Sequence, residues 1–222
     1  MSNVKPPTSY SQTPALTTLS AGTVLFRVHQ KRFPSDAFNP TSSHRYYGGG
    51  RFDATDDDPY PYLYAGSTVD AAVAETLLRD LSPDDTGVRQ LPWRKVSGRR
   101  ISAIEVTADL ELVSLQTGTD LGAVSQDTWL TMCDPRDYAQ SRHWAHWIRS
   151  YAKSAGGYIW LSRREPGTAA YVLFGDRFSP SVITATAHPD VPAADEADFD
   201  TPVGRRALRN RLTRYNVGLS RR

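Results

Sequence analysis

Cysteine is all but missing from this chain: Cys133 stands alone among 222 residues. A single thiol closes no intramolecular disulfide, suits a reducing compartment and offers zinc none of its usual sulfur company. Long apolar runs are missing too. Residues 1–22 hold one Lys and no continuous hydrophobic stretch, so neither an export signal nor a membrane span is expected and the implied location is cytoplasmic. Neither sign of charge prevails: 26 Lys and Arg face 24 Asp and Glu, for a formal +2. That balance does not by itself point to nucleic acid. No Gly-Lys-Ser/Thr closes a P-loop, no GxGxxG marks a dinucleotide turn, and His-Glu-x-x-His and Gly-x-Ser-x-Gly are absent as well.

What is present suits a soluble globular protein, with 39% apolar and 23% charged residues in a length that fits one domain with tails. Charge is unevenly spread. Asp195, Glu196 and Asp198 lie between Asp190 and Asp200 without a basic residue, whereas Arg205 onward adds Arg206, Arg209, Arg211, Arg214, Arg221 and Arg222 without an acidic one. Such an end can be a solvated tail, or it can meet a polyanion, a partner protein or the acidic stretch before it.

Residues 1–21, rich in Ser, Thr and Pro, read as a mobile arm. Alternation predicts a strand from Thr23 to His29, with Arg27 on the face opposite Phe26 and Val28. Tyr62 to Ala65 is a second short strand. Ser67 or Thr68 then caps a helix whose stripe is Val69, Ala72, Val73, Thr76 and Leu77. Glu75 falls at the edge of that stripe. Strands come next at Ile101 to Val106 and Leu110 to Leu115; Arg99-Arg100 reads as solvated loop, and Trp129 to Asp137 as loop. Trp144, Trp147, Ile148 and Tyr151 recur at helical spacing within Tyr138 to Ser154, which Gly156-Gly157 ends. Strands at Tyr158 to Leu161 and Ala169 to Phe174 complete a mixed α/β domain over 22–187, with 188–222 as an acidic, then Arg-rich extension.

Among candidate functional residues, Gly48-Gly49-Gly50 lets backbone approach a ligand, and Arg27 and Arg51 can meet a pyrophosphate. Tyr47, Phe52 and Tyr64 offer rings for stacking. Glu75 can stabilise a cationic sugar or orient an acceptor, unless it simply pairs with Arg79 four residues on. Ser162, at the end of a strand, and Ser141, on the tryptophan helix, are candidate hydroxyls. His143 and His146 lack a third ligand at motif spacing, so no metal is expected.

Together these pieces resemble the RES domain family, named for an arginine, a glutamate and a serine. The resemblance runs through Leu25-Phe26-Arg27, Asn39-Pro40, Gly49-Gly50-Arg51-Phe52, Tyr62-Leu63-Tyr64-Ala65-Gly66-Ser67, Ala72-Val73-Ala74-Glu75, Gly157-Tyr158-Ile159-Trp160-Leu161-Ser162-Arg163 and Val172-Leu173-Phe174. It spans roughly residues 23–175. It implies an α+β fold, an ADP-ribosyltransferase-like split mixed sheet with flanking helices around an NAD cleft. It also implies NAD glycohydrolase or phosphorylase activity, with NAD as substrate rather than cofactor and phosphate as an optional co-substrate. Many relatives are toxins that deplete NAD and are held by an antitoxin with a helix-turn-helix domain. By position Arg27 and Arg51 match the family's arginines, Tyr64 its aromatic, Glu75 its glutamate and Ser162 its serine, with Ser141 as the other choice. Where relatives often carry Gln in the middle helix this chain aligns Arg142, with Gln140 close by. The resemblance thus implies that Arg27, Gly50, Arg51, Tyr47 and Tyr64 hold NAD while Glu75 acts at the anomeric carbon. A homo-oligomer stays open; membrane and direct nucleic-acid binding are not expected. Transfer of ADP-ribose to a macromolecule and an inactive partner-binding module are the rival readings.

Overall fold

The computed structural model describes residues 5–191 and 194–220. Among them the strands are Leu16–Leu19 (β1), Val24–Gln30 (β2), Tyr62–Gly66 (β3), Arg89–Pro92 (β4), Arg99–Val106 (β5), Leu110–Leu115 (β6), Gly157–Leu161 (β7), Ala169–Phe174 (β8), Ile183–Thr186 (β9) and Val217–Ser220 (β10). The helices are Val69–Val73 (α1), Gly118–Ala123 (α2), Trp129–Met132 (α3), Tyr138–Tyr151 (α4), Ala194–Ala197 (α5) and Pro202–Thr213 (α6). Eight strands make one mixed sheet in the order β1-β6-β7-β8-β3-β2-β5-β9, and β4 and β10 form a separate parallel pair. Within the large sheet β6 and β7 run parallel and the other neighbours antiparallel.

Period-2 alternation divides each strand between two apolar layers. On one face Leu25, Leu63, Ile104, Leu112, Ile159 and Leu173 pack together. The other face is covered in two halves. Tyr158, Trp160, Val172 and Phe174 meet Trp144, Ala145 and Ile148 of α4, while Phe26, Val28, Ile101 and Ala103 meet α1 and α6. At roughly 25 cal/mol per Å² of apolar surface removed from water, these layers dominate the folding energy.

Several segments depart from the pattern expected of them. Leu16–Leu19 is no arm but an edge strand, paired with β6 from Leu16 opposite Val113 to Leu19 opposite Leu110. Tyr10 sits against the rings of Trp147 and Tyr151, each 4.8 Å away, and donates its hydroxyl proton to the Ala123 carbonyl. The stretch Trp129 to Asp137 contains α3 and a 3-10 turn, Pro135–Asp137; a proline in the first position of a turn begins it rather than breaking it. Arg99 and Arg100 are not loop. They open β5 opposite Gln30 and His29.

The C-terminal extension folds back onto the domain. Leu208 and Leu212 of α6 are buried with Phe26 and Val73, Arg205 lies over the Trp93 ring at 4.0 Å, and Arg211 and Arg214 both pair with Asp70. The Arg211 and Arg214 charges therefore meet the first turn of α1, while α6 itself packs against the acidic stretch, where Ala197 and Phe199 join Leu208 and Leu212; Asp198 and Asp200 hold Lys31 at 3.0 and 2.8 Å. Residues 1–4, Arg221 and Arg222 lie outside the described residues.

One polar group is buried inside β2. His29 Nδ1–H donates to the Gln30 carbonyl at 3.1 Å, because a carbonyl can only accept, and Nε2 then accepts from the Ser102 hydroxyl at 2.9 Å. Burial, and then the neighbouring Arg27 charge, push the His29 pKa down to about 4.

Truncating Leu208 to alanine should cost about 2–4 kcal/mol in a urea melt, as for other buried leucines. Val203→Ala, 42% exposed on the same helix, should change stability by less than about 0.5 kcal/mol. A negligible effect of Leu208→Ala would mean that the extension is not part of the cooperative fold. Stability should also fall as pH drops from about 6.5 towards 4, since there the unfolded chain binds a proton at His29 that the folded chain refuses. His29→Gln should flatten that slope, and an unchanged slope would assign it to other groups.

Candidate active site

The large sheet parts at its middle. β2 and β3 share one register pair, Phe26 opposite Gly66. A Cβ on Gly66 would lie 2.6 Å from the Ala72 nitrogen, so glycine lets α1 start directly against the seam. Thr68 caps α1 by accepting from the Ala71 N–H at 3.0 Å. Beyond the seam a cavity of about 620 Å³ opens, walled by Arg27 of β2, Tyr64 of β3, Glu75 and Arg79 after α1, and the Gly49-Gly50-Arg51 loop. Trp160 and Ala170 close it from β7 and β8.

The glycine loop is shaped by Asp53. Its carboxylate accepts from the Gly50 N–H at 2.7 Å, the Ser43 hydroxyl at 2.6 Å and the Tyr64 hydroxyl at 2.8 Å. A Cβ on Gly50 would fall 2.5 Å from that carboxylate, and Gly49 has φ +72°, so both positions require glycine. Arg142 ties the loop from behind, donating to the carbonyls of Gly48 at 2.8 Å, Gly50 at 3.1 Å, His44 at 3.0 Å and Arg45 at 3.3 Å. Loss of water contact, and then the Asp53 charge, push the Tyr64 phenol well above its ordinary range. Its hydroxyl also accepts from the Phe52 N–H at 3.0 Å, so Tyr64 offers a ring and a fixed phenol, not a base.

Arg51 is only 2% exposed. Its guanidinium lies near the Tyr138 and Phe52 rings, at 5.4 and 5.9 Å, yet Nε and Nη2 have no hydrogen-bond partner. Buried guanidinium nitrogens without partners are costly, and an anion in the adjoining cavity would relieve that cost. Arg27 is anchored differently. Its Nη1 donates to the Ser35 carbonyl at 2.7 Å and the Ala37 carbonyl at 2.9 Å, while Nε has no hydrogen-bond partner. Burial lowers its pKa to about 10, against the opposing Asp36 charge, so the group stays cationic at neutral pH.

Glu75 stands in a π-helical turn, Ala74–Leu78, that continues α1. Its Oε1 accepts from the Ser162 hydroxyl at 2.7 Å and from the Arg163 N–H at 3.1 Å. The alternative ion pair with Arg79 is not formed; Arg79 approaches Asp80 at 3.3 Å. Arg163 is itself held by Asp134 and the Cys133 carbonyl.

Arg27, Gly50, Arg51, Tyr64 and Glu75 thus share one cavity, and Ser162 touches it through Glu75. The other candidates lie elsewhere. Tyr47 is 74% exposed and stacks on His44 at 4.9 Å. Ser141 is fully buried and donates to the Arg51 and Tyr138 carbonyls. Phe52 is core, packed on Tyr158 and Trp160, and Gln140 does not line the cavity. His146 meets the Asp53 carbonyl at 3.3 Å, and no group of three metal-ligating side chains occurs among the described residues. Sequence reasoning passed over Asp53, whose only signal was an acceptor placed just after Gly-Gly-Arg-Phe, and over Arg32, Arg79 and Arg99, which also line the cavity.

Among the described residues no helix is long and apolar enough to cross a membrane. No curated protein sequence matches the chain. A chain from the crystal structure of the M. tuberculosis MbcT–MbcA toxin–antitoxin complex superimposes with a TM-score of 0.53, over 77% of this chain and 84% of that one, at 16% identity. At that identity the likeness establishes the fold, and the α+β fold with a parted mixed sheet is the one expected. The sequence model of the RES domain matches residues 24–198, which takes in β2 through β9 and every wall of the cavity. This chain belongs to the RES domain family.

Proposed function

We propose that the protein cleaves the nicotinamide–ribose bond of NAD, with water or inorganic phosphate as acceptor, and that it is a toxin restrained by an antitoxin carrying a helix-turn-helix domain. One observation carries the chemistry: a carboxylate, Glu75, is locked by Ser162 and Arg163 at the wall of the cavity that also holds the unpartnered nitrogens of Arg51 and Arg27. The toxin reading draws on family membership and on the complex from which the structural neighbour comes.

Oxidised nicotinamide leaves as a neutral base, taking the electron pair of the C–N bond and leaving positive charge on the ribose ring. No proton needs to be transferred for that step. Glu75 supplies the negative charge facing the developing cation, and both locking bonds fall on Oε1, so its other oxygen can accept from a ribose hydroxyl. Arg27 and Arg51 take the pyrophosphate by charge-assisted bonds, while the Tyr64 and Trp160 rings, 6.3 Å apart, bound the ribose end. Attack by water then gives ADP-ribose and a proton; attack by phosphate gives ADP-ribose 1″-phosphate.

Purified protein should release nicotinamide from NAD, and mass spectrometry with and without phosphate should identify the acceptor. Glu75→Gln should lower kcat about 10²-fold or more with the melting temperature kept. Undiminished turnover in that variant would remove Glu75 from the mechanism. Ser162→Ala, which leaves the Arg163 N–H in place, should cost about tenfold in kcat with little change in KM. Labelled ADP-ribose recovered on a macromolecule would move the reading to a transferase, and absence of NAD binding would move it to a partner-binding module.

A further inference from the structure

A second cavity, of about 500 Å³, lies beside the first and shares His29, Arg32 and Phe33 with it. Its wall adds Lys31, Arg100 and Thr186, and no carboxylate lines it. Two of its three cationic side chains lack carboxylate partners. Lys31 is held by Asp198 and Asp200, but the Arg100 Nε is buried without a hydrogen-bond partner, and the exposed Arg32 rests over the Phe33 ring at 4.8 Å. At the junction of the cavities His29 is kept neutral, by burial first and then by the Arg27, Arg100 and Arg99 charges. Positive potential therefore gathers where the two spaces meet.

The direction of a bound dinucleotide is set by the strand. β2 carries Arg27 at the first cavity and His29 at the junction, about 7 Å further on at roughly 3.3 Å per residue, and the turn that follows β2 brings Lys31 and Arg32 to the second cavity. With its reacting ribose at Glu75 and its pyrophosphate at Arg27 and Arg51, a dinucleotide points its adenosine along β2 towards the second cavity. We propose that this second cavity binds a phosphomonoester, the 2′-phosphate of NADP, so that the phosphorylated dinucleotide is a substrate preferred over NAD. The identity of the occupant rests on the cleavage reading above. The chemistry of the cavity does not: a group carrying close to two negative charges suits Arg32 and Arg100, each with a guanidinium fork to offer.

Titration calorimetry with adenosine 2′,5′-bisphosphate and with adenosine 5′-monophosphate tests the site without catalysis. The 2′-phosphate should tighten binding at least about tenfold. Arg100→Gln should remove that margin while binding of the monophosphate stays as it was, and Arg100→Lys, which keeps the charge without the fork and should shrink the margin, is the second variant should Arg100→Gln fail to fold. In turnover, kcat/KM for NADP should exceed that for NAD, and the excess should fall in the same variants. Equal binding of the two nucleotides, or binding of neither, overturns the proposal. A calorimetric margin without cleavage of either dinucleotide would instead keep the phosphate site and discard the cleavage reading.

Discussion

The parting of the sheet beside a single residue pair, Phe26 opposite Gly66, is the constraint on which the cleft and its contents depend. A ladder continued between β2 and β3 would fill the space that the cavity occupies. At the seam Gly66 admits the start of α1 where any side chain would collide with Ala72, and Ser67 fastens the exit of β3 to Ala169 of β8 through both its N–H and its hydroxyl oxygen. Helix α1 thus begins within two residues of the strand, and its capping by Thr68 fixes the helical phase up to Val73. The π turn then widens the helix at Ala74–Leu78. Turns of this kind recur at functional sites because they displace side chains from regular helical phase. Here Ala74 and Leu77 are buried on either side while Glu75 remains half-exposed at the cleft.

Arginine does two kinds of work in this protein, and the difference is legible in its partners. Arg149 donates to Asp58 and Asp176, each at 2.9 Å, and lies over the Tyr60 ring at 3.8 Å; those carboxylates raise its pKa against the opposing effect of burial. Arg142 spends its fork on four loop carbonyls. Both are buried cations compensated from within the chain, which is the condition under which such burial is tolerated. Arg51 is buried as deeply, yet two of its nitrogens have no protein acceptor. Its position under the glycine loop is fixed through the backbone, by Ser141 and by the Asp53 network, and in the function proposed above its unpartnered nitrogens would meet the substrate's pyrophosphate.

Much of the fold could be read from the sequence because apolar spacing is strong where both faces of a strand or one face of a long helix are buried. Leu110–Leu115 and Ala169–Phe174 form as expected, and α4 begins at Tyr138 as its tryptophans require. The four-residue strands β1, β4, β9 and β10 escaped notice because so short a segment shows too few alternations, and it is the partner strand that determines their pairing. The C-terminal helix was obscured by its arginines: its buried stripe is Gly204, Leu208 and Leu212, with only two apolar side chains, and charge on the other side hides it. At the site, residues that reach the cavity by strand or helix phase were legible, namely Arg27, Tyr64 and Glu75. Asp53 was not, and Arg142 was marked only by its alignment with the middle-helix Gln of relatives, because both act on backbone groups of a loop whose path no periodicity encodes.

The choice between the two serines shows how a site is assembled from contacts that sequence order cannot rank. Both hydroxyls are almost wholly buried, and both donate. The acceptors separate them. Ser141 gives its proton to the Arg51 carbonyl, so it positions an arginine through the main chain from outside the cavity. Ser162 gives its proton to the Glu75 carboxylate and, through its oxygen, receives the Glu165 N–H at 3.2 Å. A hydroxyl placed between a carboxylate and a backbone donor has both its hydrogen and an acceptor site committed, which suits holding Glu75 in one orientation rather than attacking a sugar. The serine and glutamate thus form one connected pair, and Arg27 and Arg51 share the cavity wall with the glutamate. In the function proposed above, the serine fixes the carboxylate, the carboxylate faces the space where positive charge would develop, and the arginine would hold the anionic remainder of the substrate.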